Sequence, residues 1–192
     1  MPTYILILLI GLSALLFKPL LPPEAIVESP ESIAGQLSDK TEKLQWLTLD
    51  EAEAEMALQK KDIIIDLYTD WCGWCKVMDK NTYTHRQVID YVQHNFYPVK
   101  INAETRDMIT WRGRQFKYND AYRVNDFAIL LTGGRLSYPS TVIIPADGST
   151  PQAVPGYLKP ADMELILKYF GEGHFGKIPF QDYQKNFKQT WK

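Results

Sequence analysis

Apolar and polar positions follow three successive patterns along this chain. From Tyr4 to Phe17 the residues are continuously apolar or small, ending at Lys18 and Pro19. Residues 22–43 carry Pro22, Pro23, Pro30 and several Glu and Ser, with few large apolar side chains. That composition predicts an extended or disordered linker. From Leu44 onward, short apolar runs and helical periodicities alternate, as in a folded domain.

Within that domain, Leu44, Trp46 and Leu47 to Leu49 suggest a short strand. A helix over Glu51–Lys60 follows, with Ala52, Met56 and Ala57 on one side. Ile63 to Tyr68 is a short β-branched run, the mark of a buried central strand. Cys75 to Asn81 suits a helix, and Thr84 with Gln87 forms a capping box. The helix it opens places Val88, Ile89, Val92 and Phe96 on one face, and Phe96 to Ile101 is the next strand. Residues 103–118 are polar and have no clear period. Asn119 or Asp120 caps a helix with Val124, Phe127, Ala128 and Leu131 on one face, ended by Gly133 and Gly134. Ser140–Ile144 and Gln152–Tyr157 are strands joined at the Asp147-Gly148 turn. Pro160 precedes a helix over Asp162–Phe170. Strands alternating with helices and closing on a hairpin predict an α/β fold with a mixed sheet.

Beyond Gly173, Phe180, Tyr183, Phe187 and Trp191 recur at spacings of three and four. This predicts an aromatic helix packed on the domain, with a partner-docking helix as the alternative. The domain organisation is therefore 1–21 signal peptide or membrane anchor, 22–43 linker, 44–172 folded domain and 173–192 C-terminal aromatic extension.

Composition narrows the function. With 21 Lys and Arg against 23 Asp and Glu, the formal charge is −2. No basic stripe appears, so nucleic acid is not an expected partner. The fourteen-residue run Tyr4–Phe17 matches a signal-peptide apolar region and is short for a membrane span. If Lys18 snorkels, residues 4–21 could anchor the chain in an inner membrane. No Lys or Arg precedes the run and no A-x-A site follows it. Export to the periplasm or cell envelope is expected, with cleavage and anchoring both open.

The two cysteines, Cys72 and Cys75, are three positions apart. A bridge closing so small a loop removes little chain entropy, so the pair suits chemistry better than stapling. Asp66-Leu67-Tyr68-Thr69-Asp70-Trp71-Cys72-Gly73-Trp74-Cys75-Lys76 runs from a strand end into a helix. Cys72 then lies at the helix N-terminus, where unpaired N–H groups and the dipole favour a thiolate. Cys75, one turn on, can attack a mixed disulfide formed at Cys72. Gly73 permits a tight turn, and Trp71 and Trp74 bracket the exposed sulfur with apolar surface. A zinc site would need two more ligands; His85 and His94 fit an exposed helical face better. No metal and no organic cofactor are expected.

This segment resembles the active-site region of the thioredoxin family in its WCGWCK form, a form that recurs in bacterial cell-envelope thioredoxin-like proteins. Three further matches carry the resemblance over about Leu44–Phe170. Asp66, six residues before Cys72, resembles the family's buried acid that assists proton transfer at the resolving cysteine. Lys100 in Val99-Lys100-Ile101-Asn102 resembles the lysine near that acid. Tyr138-Pro139-Ser140-Thr141 is similar to the segment holding a cis-proline opposite the cysteines, which exposes backbone to a bound substrate strand. The resemblance implies a thioredoxin-like fold with a mixed sheet, to which the chain's own pattern adds an inserted helix before the cis-proline strand and an N-terminal membrane segment. It implies thiol–disulfide exchange on protein disulfides, with Cys72 attacking and Cys75 resolving.

The chain departs from the family pattern in three places. Trp74 stands where oxidases often carry a histidine that would stabilise the thiolate, which favours a reductant that draws electrons from a membrane or envelope redox partner. Oxidase or isomerase action, and an anchored binding or chaperone module, are the alternatives. The stretch between Lys100 and Pro139 is longer than the family minimum by roughly twenty residues, and it could cover one edge of the site. Tyr138 is bulkier than the usual residue and is a candidate substrate contact.

Overall fold

A computed structural model describes residues 43–191. The apolar run Tyr4–Phe17 and linker residues 22–42 lie outside the described residues. Among those described, no helix is long and apolar enough to cross a membrane.

The elements are α1 (Leu49–Leu58), β1 (Asp62–Tyr68), α2 (Gly73–Asn81), α3 (Arg86–Asn95), β2 (Phe96–Asn102), β3 (Ile109–Trp111), β4 (Arg114–Phe116), β5 (Tyr118–Asn119), β6 (Val124–Asn125), α4 (Asp126–Thr132), β7 (Ser140–Ile144), β8 (Gln152–Pro155), α5 (Pro160–Gly171) and α6 (Phe180–Asn186). The main sheet has the order β2-β1-β7-β8. β1 pairs parallel with β2 and antiparallel with β7, and β7 pairs antiparallel with β8. The expected α/β fold with a mixed sheet is the observed one.

The apolar run Ile63–Ile65 in β1 follows from burial on both faces. Ile63, Ile65 and Leu67 enter one core with Ala52 of α1, Trp111 and Phe116 of the β3–β4 hairpin and Phe127 of α4. Ile64 faces a second core with Met78 of α2, Val88, Ile89 and Val92 of α3 and Met163 and Leu167 of α5. The two-residue period of a strand puts Asp66 on that second face.

Several expected elements are placed differently. No strand forms over Leu44–Leu49; a single bridge pairs Leu47 with Val99. Thr48 instead caps α1, its hydroxyl accepting from Glu51 N while Glu51 Oε2 accepts from Thr48 N. Ala52 and Met56 face the core, but Ala57 is exposed. The Thr84–Gln87 capping box does not form. Thr84 Oγ1 donates back to Lys80 O at 2.5 Å, so α3 starts at Arg86 with His85 as its cap residue.

The region 103–125 departs most from expectation. In place of a helix from Asn119 there are two short hairpins, β3–β4 and β5–β6, and α4 begins only at Asp126. The β3–β4 loop is the two-residue turn Arg112-Gly113, both at positive φ (48° and 72°). This is the primed-turn geometry that suits a twisted hairpin. Asn119 serves the second hairpin, accepting from Ala121 N and Tyr122 N. Asn125 is the true cap of α4, accepting from Phe127 N at 3.0 Å. The helix stops at Gly133, in the left-handed region, as expected.

The aromatic tail packs on the domain, but not as one helix. Phe180 and Tyr183 of α6 sit 5.2 and 5.3 Å from the Tyr169 ring of α5. The chain turns extended at Phe187, and Trp191 reaches the Tyr91 ring at 5.7 Å. Buried Glu164 holds this end down, accepting from Thr190 N at 3.0 Å, Trp191 N at 2.9 Å and Lys168 Nζ at 2.7 Å.

Candidate active site

The site forms where β1 gives way to α2. Cys72 is the N-cap residue of α2, in extended backbone, and its Sγ accepts from Cys75 N at 3.1 Å. That bond partners one of the N–H groups a helix start leaves open. Cys72 and Cys75 are joined as a disulfide, with Cα atoms 5.3 Å apart. The expectation of an exposed sulfur does not hold for this oxidised state. Cys72 is 4% exposed, its sulfur turned inward to bond Cys75. Gly73 is not needed for a tight turn either. It opens α2 outside the left-handed region, and an added Cβ would meet nothing within 4 Å.

Strand register brings the other chain-distant residues together. Asp66 lies opposite Lys100 on β2 and opposite Thr141 on β7. Directly paired residues share a face, so all three point toward the α2 side. Asp66 is 1% exposed. Lys100 Nζ donates to its Oδ2 at 2.5 Å, and Oδ1 has no hydrogen-bond partner. Burial pushes the Asp66 pKa up to about 6, and the neighbouring Lys100 ammonium only partly offsets that. Lys100 also pairs with Asp79 of α2. Burial pulls the Lys100 pKa down, and the Asp66 and Asp79 carboxylates outweigh it, so it ends above its ordinary value.

A cavity of about 490 Å³ opens on the solvent side of this ion pair, lined by Trp46, Asp79, Tyr83 and Lys100 among others. The Lys100 ammonium lies 5.4 Å from the Trp46 ring centroid and 4.8 Å from that of Tyr68. Sequence reading missed Asp79, Trp46 and Tyr83. Only Asp79 left a trace, four residues past Cys75 and so one turn along the same helix.

The rim is aromatic. Trp71 and Trp74 are 68% and 62% exposed. Trp71 meets Tyr138 edge-on at 6.1 Å and donates its indole N–H to Glu104 Oε1 at 2.9 Å. Trp74 stacks on Tyr157 at 5.5 Å. The Tyr138–Pro139 bond is cis, and Pro139 O accepts from Gly156 N at 2.8 Å, which places the Tyr157 loop beside it. Burial first, and the Glu104 charge second, push the Tyr138 pKa to about 12. Asp70 is exposed and accepts from Asn102 Nδ2 at 3.0 Å. Glu104 and Tyr157 left no signal in the sequence.

A family model described as a thioredoxin-like domain matches residues 49–171. A curated relative, the thiol:disulfide interchange protein DsbD of Pseudoalteromonas atlantica, is 30% identical over 78 residues. The match covers 38% of this chain but only 13% of that relative's length. Among solved structures, a DsbH oxidoreductase superposes with a TM-score of 0.50 at 16% identity, covering 69% of this chain and 87% of the other. A thioredoxin-fold protein from Helicobacter pylori also gives 0.50, at 17% identity, covering 65% and 78%. At those identities the likeness speaks for the fold. That fold, with the Cys72–Cys75 pair at a helix start, supports thiol–disulfide oxidoreductase activity. Matched over 49–171, well beyond half its length, the chain belongs to the thioredoxin-like domain family.

Proposed function

We propose that the chain reduces disulfides of exported proteins through the Cys72/Cys75 dithiol. The observation that carries the reading is Cys72 capping α2 above a buried Asp66 whose pKa lies near 6. In the reduced form the Cys72 thiolate attacks one sulfur of a client disulfide. A Cys72–client disulfide forms and a client thiolate leaves. Cys75 gives its proton to Asp66 and attacks Cys72 Sγ, which forms the Cys72–Cys75 bond and releases the second client thiolate. Two electrons pass to the client, whose thiolates take up protons from Asp66 and water. A dithiol of a membrane or envelope electron-transfer partner restores the pair.

The direction rests on the surroundings of Cys72. A strong oxidant stabilises its reduced form, usually by favouring the thiolate. Here the residues between the cysteines are Gly73 and Trp74, the latter stacked on Tyr157, and neither brings a charge. The nearby acid is kept buried, which further disfavours a second negative charge. Pro139 and Tyr138 serve to orient the client backbone, with Trp71, Gly73 and Trp74 forming the contact rim and Lys100 supporting Asp66.

Residues 44–172 form the catalytic domain, 173–192 its packed extension, 22–43 a tether, and 1–21 the export signal or anchor. The apolar run and the naming of the DsbD and DsbH relatives favour a periplasmic or envelope location.

The test is trapping. Cys75→Ser should accumulate mixed disulfides with client proteins through Cys72, and Cys72→Ser should not. Absence of such adducts removes the exchange reading and leaves a binding module. A strongly oxidising equilibrium potential of Cys72/Cys75 against glutathione would reverse the direction. Labelling of the cysteines from the cytoplasmic side alone would overturn export.

A further inference from the structure

We infer that Glu104 sets client choice, favouring disulfides flanked on the Trp71 side by a Lys or Arg side chain. The inference rests on the exchange reading above and names its substrate class.

Trp71 immediately precedes the attacking cysteine and is largely exposed. Its indole N–H donates to Glu104 Oε1 at 2.9 Å. The carboxylate therefore sits at the rim of the site, one indole away from the Cys72 backbone. An indole N–H carries no net charge, so the bond positions Glu104 without neutralising it. Among the described residues, none of the ion pairs involves Glu104. Asn102 extends the same rim. Its Oδ1 accepts from Glu104 N at 2.9 Å, and its Nδ2 donates to Asp70, whose carboxylate likewise has no cationic partner there.

A cationic side chain laid over the Trp71 face would meet the negative face of the ring and the Glu104 carboxylate together. An acidic side chain would meet repulsion from both. The opposite rim is different in kind. Trp74 stacked on Tyr157 offers apolar surface and no carboxylate, so charge is read on one side only. Tyr138 meets the Trp71 ring edge-on at 6.1 Å on this same side of the site.

The test uses the full chain in its reduced form and three peptide disulfides that differ only in the residue flanking the attacked cysteine: Lys, Gln or Glu. Exchange is followed by the change in tryptophan fluorescence as the Cys72–Cys75 bond forms. Expected is the order Lys, Gln, Glu in kcat/KM, carried mainly by KM. The ratio of Lys to Glu should be about tenfold at low salt, the size of one exposed ion pair plus a cation over an aromatic ring. That ratio should shrink at about 1 M salt, where the screening length falls to about 3 Å.

Glu104→Gln keeps an oxygen to accept the Trp71 N–H, so a merely structural role would leave the Lys-to-Glu ratio where it was. The inference requires the ratio to fall to about twofold or less, as expected when only the weaker cation–ring contribution remains. A ratio near one in the natural protein, or one unchanged by Glu104→Gln, overturns it. The salt arm decides alone if the variant does not fold. Neutral 2-hydroxyethyl disulfide separates the two claims. Failure of the natural protein to reduce it removes the exchange reading itself. Its reduction alongside a flat peptide series removes only the role of Glu104.

Discussion

Replacing Asp66 by Asn should stabilise the protein at neutral pH, and the gain should vanish in acid. The Asp66 carboxyl is buried under α2 with one oxygen unpartnered, and its pKa rises from an ordinary 3.8 to about 6. Below 3.8 both the native and the unfolded chain hold the proton, and there is no penalty. Between 3.8 and about 6 the unfolded chain ionises first, so stability falls as pH rises. Above about 6 the native carboxylate is charged too, and the full penalty persists. At about 1.4 kcal/mol per tenfold change in the proton equilibrium, a rise from 3.8 to about 6 corresponds to about 3 kcal/mol. Asn keeps the shape without the charge. It recovers part of that sum, because Lys100 retains only Asp79 as a partner. A net gain of about 1–2 kcal/mol near pH 7.5 is expected. Denaturant unfolding of the oxidised protein and the variant, across about pH 3.5–8, measures it. The difference should be near zero at the acid end, grow between about pH 4 and 6, and stay flat above. A variant no more stable than the natural protein above pH 6, or a difference independent of pH, would refute burial as the dominant cause. The same variant should slow single-turnover exchange by about a hundredfold, since Asn cannot take the Cys75 proton.

Glu164→Gln should destabilise the fold by about 2 kcal/mol, because it weakens charge-assisted bonds to the Thr190 and Trp191 amides and to Lys168. Chemical unfolding gives the size, and a red shift of tryptophan emission should report release of Trp191. Asn125→Ala should cost about 2–3 kcal/mol, since it removes the α4 cap and leaves the Asp107 carbonyl it now serves without that donor. Amide exchange should then speed up over residues 103–107, and a uniform change across the whole domain would count against this local role.

How legible the fold was depended on the length of each pattern. β1, β2 and β7 read directly, because strands buried on both faces leave short, largely apolar runs. The 103–125 region did not, for a physical reason. Strands of two and three residues are too short to show a period. The β3–β4 turn uses Arg112-Gly113, where an Asn-Gly pair would have signalled a hairpin. Val124 and Phe127 lie at helical spacing, but Val124 belongs to a strand and Phe127 to a helix, and both reach the same core. Thr84 offered a capping box to the sequence and gave its hydroxyl to the preceding turn instead.

The site divides along the same line. Cys72 and Cys75 are local, and their helix start could be read from six consecutive residues. The pairing of Asp66 with Lys100 depends on strand register, which resemblance could suggest and geometry had to supply. Glu104 depends on neither: it is reached through an indole that must first be placed by the fold. The cysteine pair is therefore readable from a short pattern, whereas the residue proposed to select the client comes from the long connection after β2. A buried, half-satisfied carboxylate that costs stability points the same way. The second core would accept an Asn at position 66 at lower cost, with Lys100 keeping Asp79 as its partner. A buried carboxylate kept at that cost is what the proposed proton transfer from Cys75 requires, so the feature of the core that costs stability is the one the exchange reading uses.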